Sequence, residues 1–156
     1  MKMRAFEIIT CSDILTEEMP ARRPESFPSV RNGSGAFVSP RNIDKARIEA
    51  EDFIFVTQQE NGAVGYHGKR KPSVDSAVQL KLYENLPAIN FMIHGHAHVR
   101  GAEYTKDYFP CGDLREVEEI LHIVSNKTLH TAVNLKNHGF LIQGNVFMHR
   151  VEALPK

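Results

Sequence analysis

Apolar residues in this chain fall mostly into short alternating or continuous runs, and only two segments repeat them at helical spacing. Arg4 to Thr10 reads as a short strand. Leu15 to Asn32 carries Pro20, Pro24 and Pro28, which remove backbone donors and fix φ, so it is expected to be an ordered irregular loop rather than a helix or a central strand. Gly33-Ser34-Gly35 turns the chain into the brief apolar run Ala36 to Ser39. Phe53 to Gln58 is rich in β-formers, and Ala63 to Tyr66 pairs with it across Asn61-Gly62 in a predicted hairpin. From Ser73 the spacing changes: Val74, Ala77, Val78, Leu80, Leu82 and Tyr83 suit a helix that follows Pro72 and ends near Asn85. Ile89 to Ile93 is a continuous apolar run behind Pro87, as in a buried strand. Leu114 to Asn126 repeats Leu114, Val117, Ile120, Leu121 and Val124 at helical spacing, with Asp113 as N-cap and Glu116 early enough to complement the helix dipole. Three short β-rich segments follow: Ala132 to Leu135, Phe140 to Ile142 and Val146 to Val151.

The pattern predicts an α/β fold, a mixed sheet covered by helices and largely antiparallel because its strands are joined by short turns. At 156 residues the chain is one domain, residues 1–156. Nineteen Lys and Arg balance nineteen Asp and Glu, so no net field favours a nucleic acid or an anionic membrane. No apolar run approaches the ~20 residues that span a bilayer, and the start of the chain lacks the segments of a signal peptide, so a cytoplasmic location is expected. Cys11 and Cys111 are far apart and outside any Cys-x-x-Cys pattern, which points away from disulfides and thiolate zinc sites.

The eight histidines are the unusual resource. In Ile93-His94-Gly95-His96-Ala97-His98 the two-residue period of an extended chain aims His94, His96 and His98 at one face, at the end of a strand. Zinc bonds neutral imidazole at about 2.0–2.1 Å, and a catalytic site takes three protein ligands with one position open, so His94 and His96 need a third donor. His138 is the best candidate, because the turn Asn137-His138-Gly139 between two strands presents it rigidly. A His-x-His fragment also arises by chance, and alone it carries little.

The order of these segments resembles the class II aldolase/adducin family. Lys71-Pro72-Ser73-Val74-Asp75, a helix ending Leu82-Tyr83-Glu84-Asn85-Leu86-Pro87, then Ile93-His94-Gly95-His96 and Leu135-Lys136-Asn137-His138-Gly139 carry the likeness. Phe37 to Lys45 and Ser29-Val30-Arg31 extend it upstream, so that it covers roughly Ser26 to Phe147 and leaves 1–25 as a divergent N-terminal segment. The resemblance implies a three-layer α/β/α sandwich and a zinc or other divalent ion on His94, His96 and His138. That ion would bind the carbonyl and hydroxyl oxygens of a small phosphorylated or carboxylated substrate and stabilise an enediolate, as in the family's sugar-phosphate aldolases (lyases) and 4-epimerases (isomerases). It also implies a catalytic carboxylate at Asp75, of a length that favours an epimerase-like arrangement. Asp107 and Tyr108 match a further catalytic stretch, on a loop about a dozen residues shorter than in those enzymes. Family sites lie between subunits of cyclic tetramers, so a homo-oligomer is expected.

Each functional assignment has a plainer counterpart. Asp75 could simply begin its helix, Tyr104 and Tyr108 could be loop aromatics beside the core, and His98 has no assigned role. The family's small-residue phosphate nest is largely replaced: Ser73 remains, Arg41-Asn42 stands at another of its positions with Asn42 a candidate substrate ligand, and Arg31, Arg41, Lys69, Arg70 and Lys71 are either substitute anion ligands or solvated surface charges. With a degraded nest, and without the family's N-terminal helix or its C-terminal helix and tyrosine, a non-catalytic adducin-like binding or assembly domain that retains a metal is the main alternative. A cupin-like metal module is the weakest.

Overall fold

The computed structural model describes residues 26–44, 47–125 and 131–145. The strands expected at Arg4 to Thr10 and Val146 to Val151 lie outside them. In chain order the elements are β1 (Ser26–Asn32), β2 (Gly35–Val38), a 3-10 turn (Ala50–Asp52), β3 (Ile54–Gln58), β4 (Val64–Tyr66), α1 (Ser76–Asn85), β5 (Phe91–Gly95), β6 (Glu103–Tyr104), α2 (Arg115–Val124), β7 (Thr131–Leu135) and β8 (Gly139–Gly144). The described strands form one sheet in the order β4-β3-β2-β1-β5-β8-β7-β6, antiparallel throughout except for the parallel pair β6 and β7. It is a mixed sheet with helices, an α/β fold.

Both described helices pack on one face. They touch each other, α1 lies on β2 and β3, and α2 lies on β7. Their layer closes over Val56, Leu82, Met92, Ile120 and Val133, all at most 1% exposed. Burying such a side chain contributes roughly 1.5–3 kcal/mol. The register pairs His94 with Leu141 and Ile93 with Ile142, so His94 and Leu141 face the helices while Ile93 points to the other side. The third layer of the expected sandwich has no element among the described residues.

The irregular loop expected at Leu15 to Asn32 ends in a strand. β1 holds Pro28 and sits in mid-sheet between β2 and β5. The sheet tolerates the proline because its position is the end of one ladder. The Pro28 carbonyl accepts from the Ser39 N–H (3.2 Å) on the β2 side, where β2 has already stopped at Val38. The donor that proline lacks would point the same way, so pairing with β5 is untouched. The neighbouring Ser29 hydroxyl meets the Tyr83 hydroxyl of α1 (3.0 Å), which also donates to the Ser29 carbonyl (3.0 Å).

The hairpin expected at Asn61-Gly62 is present, with Gly62 at φ +78° and the Ala63 N–H bonded to Asn61 Oδ1 (3.0 Å). β5 begins two residues later than the apolar run suggests. α2 begins at Arg115, and Asp113 helps start it by accepting from the Arg115 N–H (3.0 Å). The two-residue β6 has no apolar pattern and was not legible.

Candidate metal centre

β5 carries His94 to the end of the sheet. Its side chain, 3% exposed, turns toward the helix layer, and its Nδ1 lies 2.9 Å from the Phe140 carbonyl on β8. A carbonyl only accepts, so Nδ1 holds the proton and Nε2 presents a lone pair toward the site. Just past Gly95 the chain bends at His96 and Ala97, which ends the two-residue period. His96 stays beside its neighbour, ring centroids 5.2 Å apart, whereas His98 is exposed and joins no donor group, contrary to the common face expected of all three.

His138 reaches the same point from the β7–β8 turn. Asn137 takes φ +54°, and Gly139 allows β8 to press against the Gly95 carbonyl, where any Cβ would collide. The His138 ring lies 4.8 Å from that of His94 and 5.8 Å from that of His96. Its Nδ1 donates to Glu116 Oε1 (3.1 Å), which leaves Nε2 facing inward. One nitrogen from each of His94, His96 and His138 therefore falls within 4.8 Å of the others. Two of these rings have their outer nitrogens held by a carbonyl and a carboxylate, the arrangement that orients imidazoles around a metal.

Asp75 stands at the N-cap of α1, yet its carboxylate makes no capping bond. Oδ1 instead accepts from the Gly112 N–H (2.9 Å), and Oδ2 lies 3.4 Å from His94 Nε2. Beginning the helix falls instead to Ser73, whose Oγ accepts from the Asp75 N–H (3.3 Å) and whose carbonyl accepts from Ser76 Oγ (2.7 Å). A carboxylate oxygen and an imidazole lone pair this close repel unless a cation sits near both, so the donor set fits a divalent ion. Asp75, His94 and Glu116 also border a cavity of about 10 Å³ behind the histidines.

With only protein charges around it, burial, and to a smaller extent His138 and His96, bring the His94 pKa down to about 4 against the pull of Asp75. His138 moves the opposite way, raised chiefly by its bond to Glu116. Burial raises the Glu116 carboxyl, an effect its bond to His138 opposes. Burial and the nearby Asp75 push up the Cys111 thiol.

The remaining candidates are more dispersed. Arg41 and Asn42 line an open cleft of about 530 Å³ with Arg70 and Lys71. Arg41 is braced there, its Nε donating to the Pro72 carbonyl (2.8 Å) and its N–H to the Lys71 carbonyl (2.9 Å). Arg31 is elsewhere: its guanidinium donates to the carbonyls of Ile89 (2.8 Å), Tyr83 (2.5 Å) and Leu86 (2.8 Å), tying β1 to the segment between α1 and β5. Tyr108 is 54% exposed, and Asp107 is exposed with its N–H on Glu119 Oε2 (3.2 Å); neither belongs to a donor group.

Glu116 and Cys111 are the site residues that sequence reasoning missed. Glu116 reads as a dipole partner, but it shares the buried face of α2 with Ile120, one turn on, and an acid on an apolar face was the available signal. Cys111, with Sγ 3.2 Å from His138 Nε2, had no such signal.

Residues 26–102 match the family described as the class II aldolase and adducin N-terminal domain. The chain is 25% identical over 138 residues to an L-fuculose phosphate aldolase of Methanococcus maripaludis strain S2, covering 74% of this chain and 71% of that one. A solved L-fuculose 1-phosphate aldolase superposes with a TM-score of 0.66 at 20% identity, over 90% of this chain and 74% of the other. The corresponding enzyme from Thermus thermophilus gives 0.56 at 18% identity, over 79% and 69%. No described helix is long and apolar enough to cross a membrane.

Proposed function

We propose that the chain, whose residues 26–102 match the class II aldolase and adducin N-terminal domain, is a metal-dependent aldolase-type enzyme acting on a small sugar phosphate. The observation that carries this reading is the convergence of His94, His96 and His138 with the outer nitrogens of two of them pinned. Those three would hold the ion, with zinc the first choice. Bound there, a dication supplies Lewis-acid polarisation of a substrate carbonyl.

The chain's own groups account for the rest. Asp75 is the proton acceptor: its Oδ1 is fixed by Gly112, and its Oδ2 lies on the histidine side. In aldol cleavage it takes the proton of the hydroxyl that becomes the product carbonyl, as the adjacent C–C bond breaks toward the polarised carbonyl. Arg41, Asn42, Arg70 and Lys71 take the phosphate, with guanidinium and ammonium groups where the family uses small residues. Lys71 precedes Asp75 by only one short stretch of chain, so their Cα atoms lie within about 14 Å, a span suited to a short phosphorylated sugar. Asp107 and Tyr108 would act across a subunit boundary in a homo-oligomer, a cyclic tetramer, which sedimentation at micromolar concentration would test.

The deciding assay compares metal-stripped and zinc-loaded protein on L-fuculose 1-phosphate and a panel of other ketose phosphates, with the aldehyde released as readout. Zinc-dependent cleavage of at least one is expected. Epimerisation without cleavage would assign the other branch of the family. One zinc per chain with no turnover on any substrate would favour the adducin-like binding domain, a reading supported by the replaced phosphate nest.

A further inference from the structure

Two sets of potential ligands meet at His138. One is His94, His96 and His138; the other is Asp75, Cys111 and His138, whose donor atoms also lie within 4.8 Å of one another. We propose that Cys111 is a fourth ligand of the ion held by the three histidines, its thiolate filling the coordination position that a substrate oxygen must take. The inference rests on the metal reading above and extends it.

The geometry is that of neighbouring ligands. Around a tetrahedral zinc ion, a sulfur at about 2.3 Å and a nitrogen at about 2.0–2.1 Å stand roughly 3.5 Å apart. Cys111 Sγ and His138 Nε2 are 3.2 Å apart, and His138 Nε2 is the nitrogen left facing inward by the Glu116 bond.

The position of the cysteine is also built. The Gly112 N–H is held by Asp75 Oδ1, and the Asp113 N–H closes a turn onto the Pro110 carbonyl (3.1 Å). Gly112 has φ +79°, and a Cβ there would press on the Val74 carbonyl at 3.0 Å, so glycine lets the backbone beside Cys111 lie this near to the segment leading into α1. Cys111 is thus fixed between the carboxylate and the imidazole while remaining exposed.

Ligation releases the thiol proton to solvent and leaves the ion with four protein donors, a closed resting state. A substrate oxygen enters by displacing the sulfur, which then recovers a proton. A thiolate donor also sorts metals: zinc and cobalt gain from sulfur, whereas manganese and magnesium prefer oxygen.

The test loads the full chain with cobalt(II) and records the near-ultraviolet thiolate-to-cobalt charge-transfer band together with the cobalt content. The band is expected at one cobalt per chain, kept in Cys11→Ser and lost in Cys111→Ser. A Cys111→Ser protein with native circular dichroism but weaker cobalt binding gives the same support. Cobalt bound at one equivalent without the band, or a band that survives Cys111→Ser, overturns the ligand assignment, leaves the metal reading standing and reduces Cys111 to a hydrogen-bond partner of His138. A chain that binds no cobalt or zinc fails both readings, and the metal content alone tells that case apart.

Discussion

Glu116 shows how far the histidine cluster depends on a residue outside it. Its carboxylate holds the His138 ring by Nδ1, and both side chains are at most 5% exposed. Removing such an orienting partner typically lowers metal affinity 10–100-fold. Glu116→Ala should therefore weaken zinc binding by about that range in a competition titration with a chelating dye, while Glu116→Gln, which keeps an acceptor, should lose less. The titration of the histidines gives a second check. His94, with a pKa of about 4, lies below its ordinary value of about 6.5. Its contribution to the stability of zinc-stripped protein is therefore present above about pH 6.5 and lost as pH falls toward 4. His138 is raised, so its ring should titrate above the ordinary value and the proton there should compete with zinc. Ring resonances followed by NMR in zinc-stripped protein should show His94 still neutral at about pH 5 and His138 already protonated. The donor residues themselves were legible from spacing and from the segment order. Glu116 and Cys111 were not, because their roles come from the seating of α2 and of the 110–113 turn against the sheet end, which no local pattern encodes.

Among the elements, the join between β5 and β8 decides whether the site exists. Gly139 lies against the Gly95 carbonyl, and the next pair in register is Phe140, whose carbonyl orients His94. A methyl group at position 139 has backbone in front of it, which cannot swing away as a side chain could. Gly139→Ala should cost about 1–3 kcal/mol by thermal denaturation and weaken zinc binding with it. β1 shows the opposite limit of sequence reading. Proline normally argues against a central strand, and the exception at Pro28 depends on where β2 happens to end, a fact of tertiary pairing. The helices and the Asn61-Gly62 hairpin were legible because their signals are local. β6, held to β7 by parallel pairing and by the Asn134 side chain bonded to the carbonyls of Val99 (2.8 Å) and Ala102 (3.1 Å), was not.

On the scale of the whole molecule, the cleft lined by Arg41 and Lys71 and the carboxylate of Asp75 belong to one strut. Pro40 bridges Pro72, and the Ser73 N–H bonds the Ser39 carbonyl (3.1 Å), so the segment that lines the cleft runs directly into Asp75 and α1. The histidines come from the other direction. His94 and His138 are remote in sequence and become neighbours only when β8 docks along β5. Neither the β7–β8 hairpin nor β5 alone offers an ion more than part of its shell. An ion that recognises the assembled sheet and ignores its pieces acts as a thermodynamic ratchet on folding. Every tenfold rise in free zinc above the dissociation constant should deepen the native well by about 1.4 kcal/mol, reaching about 2.7 kcal/mol at a hundredfold excess. Melting curves across a series of zinc buffers should rise with the logarithm of free zinc, and the slope should vanish in His138→Ala. The metal would then have a second occupation besides chemistry, setting how much of the chain stays folded when zinc is scarce.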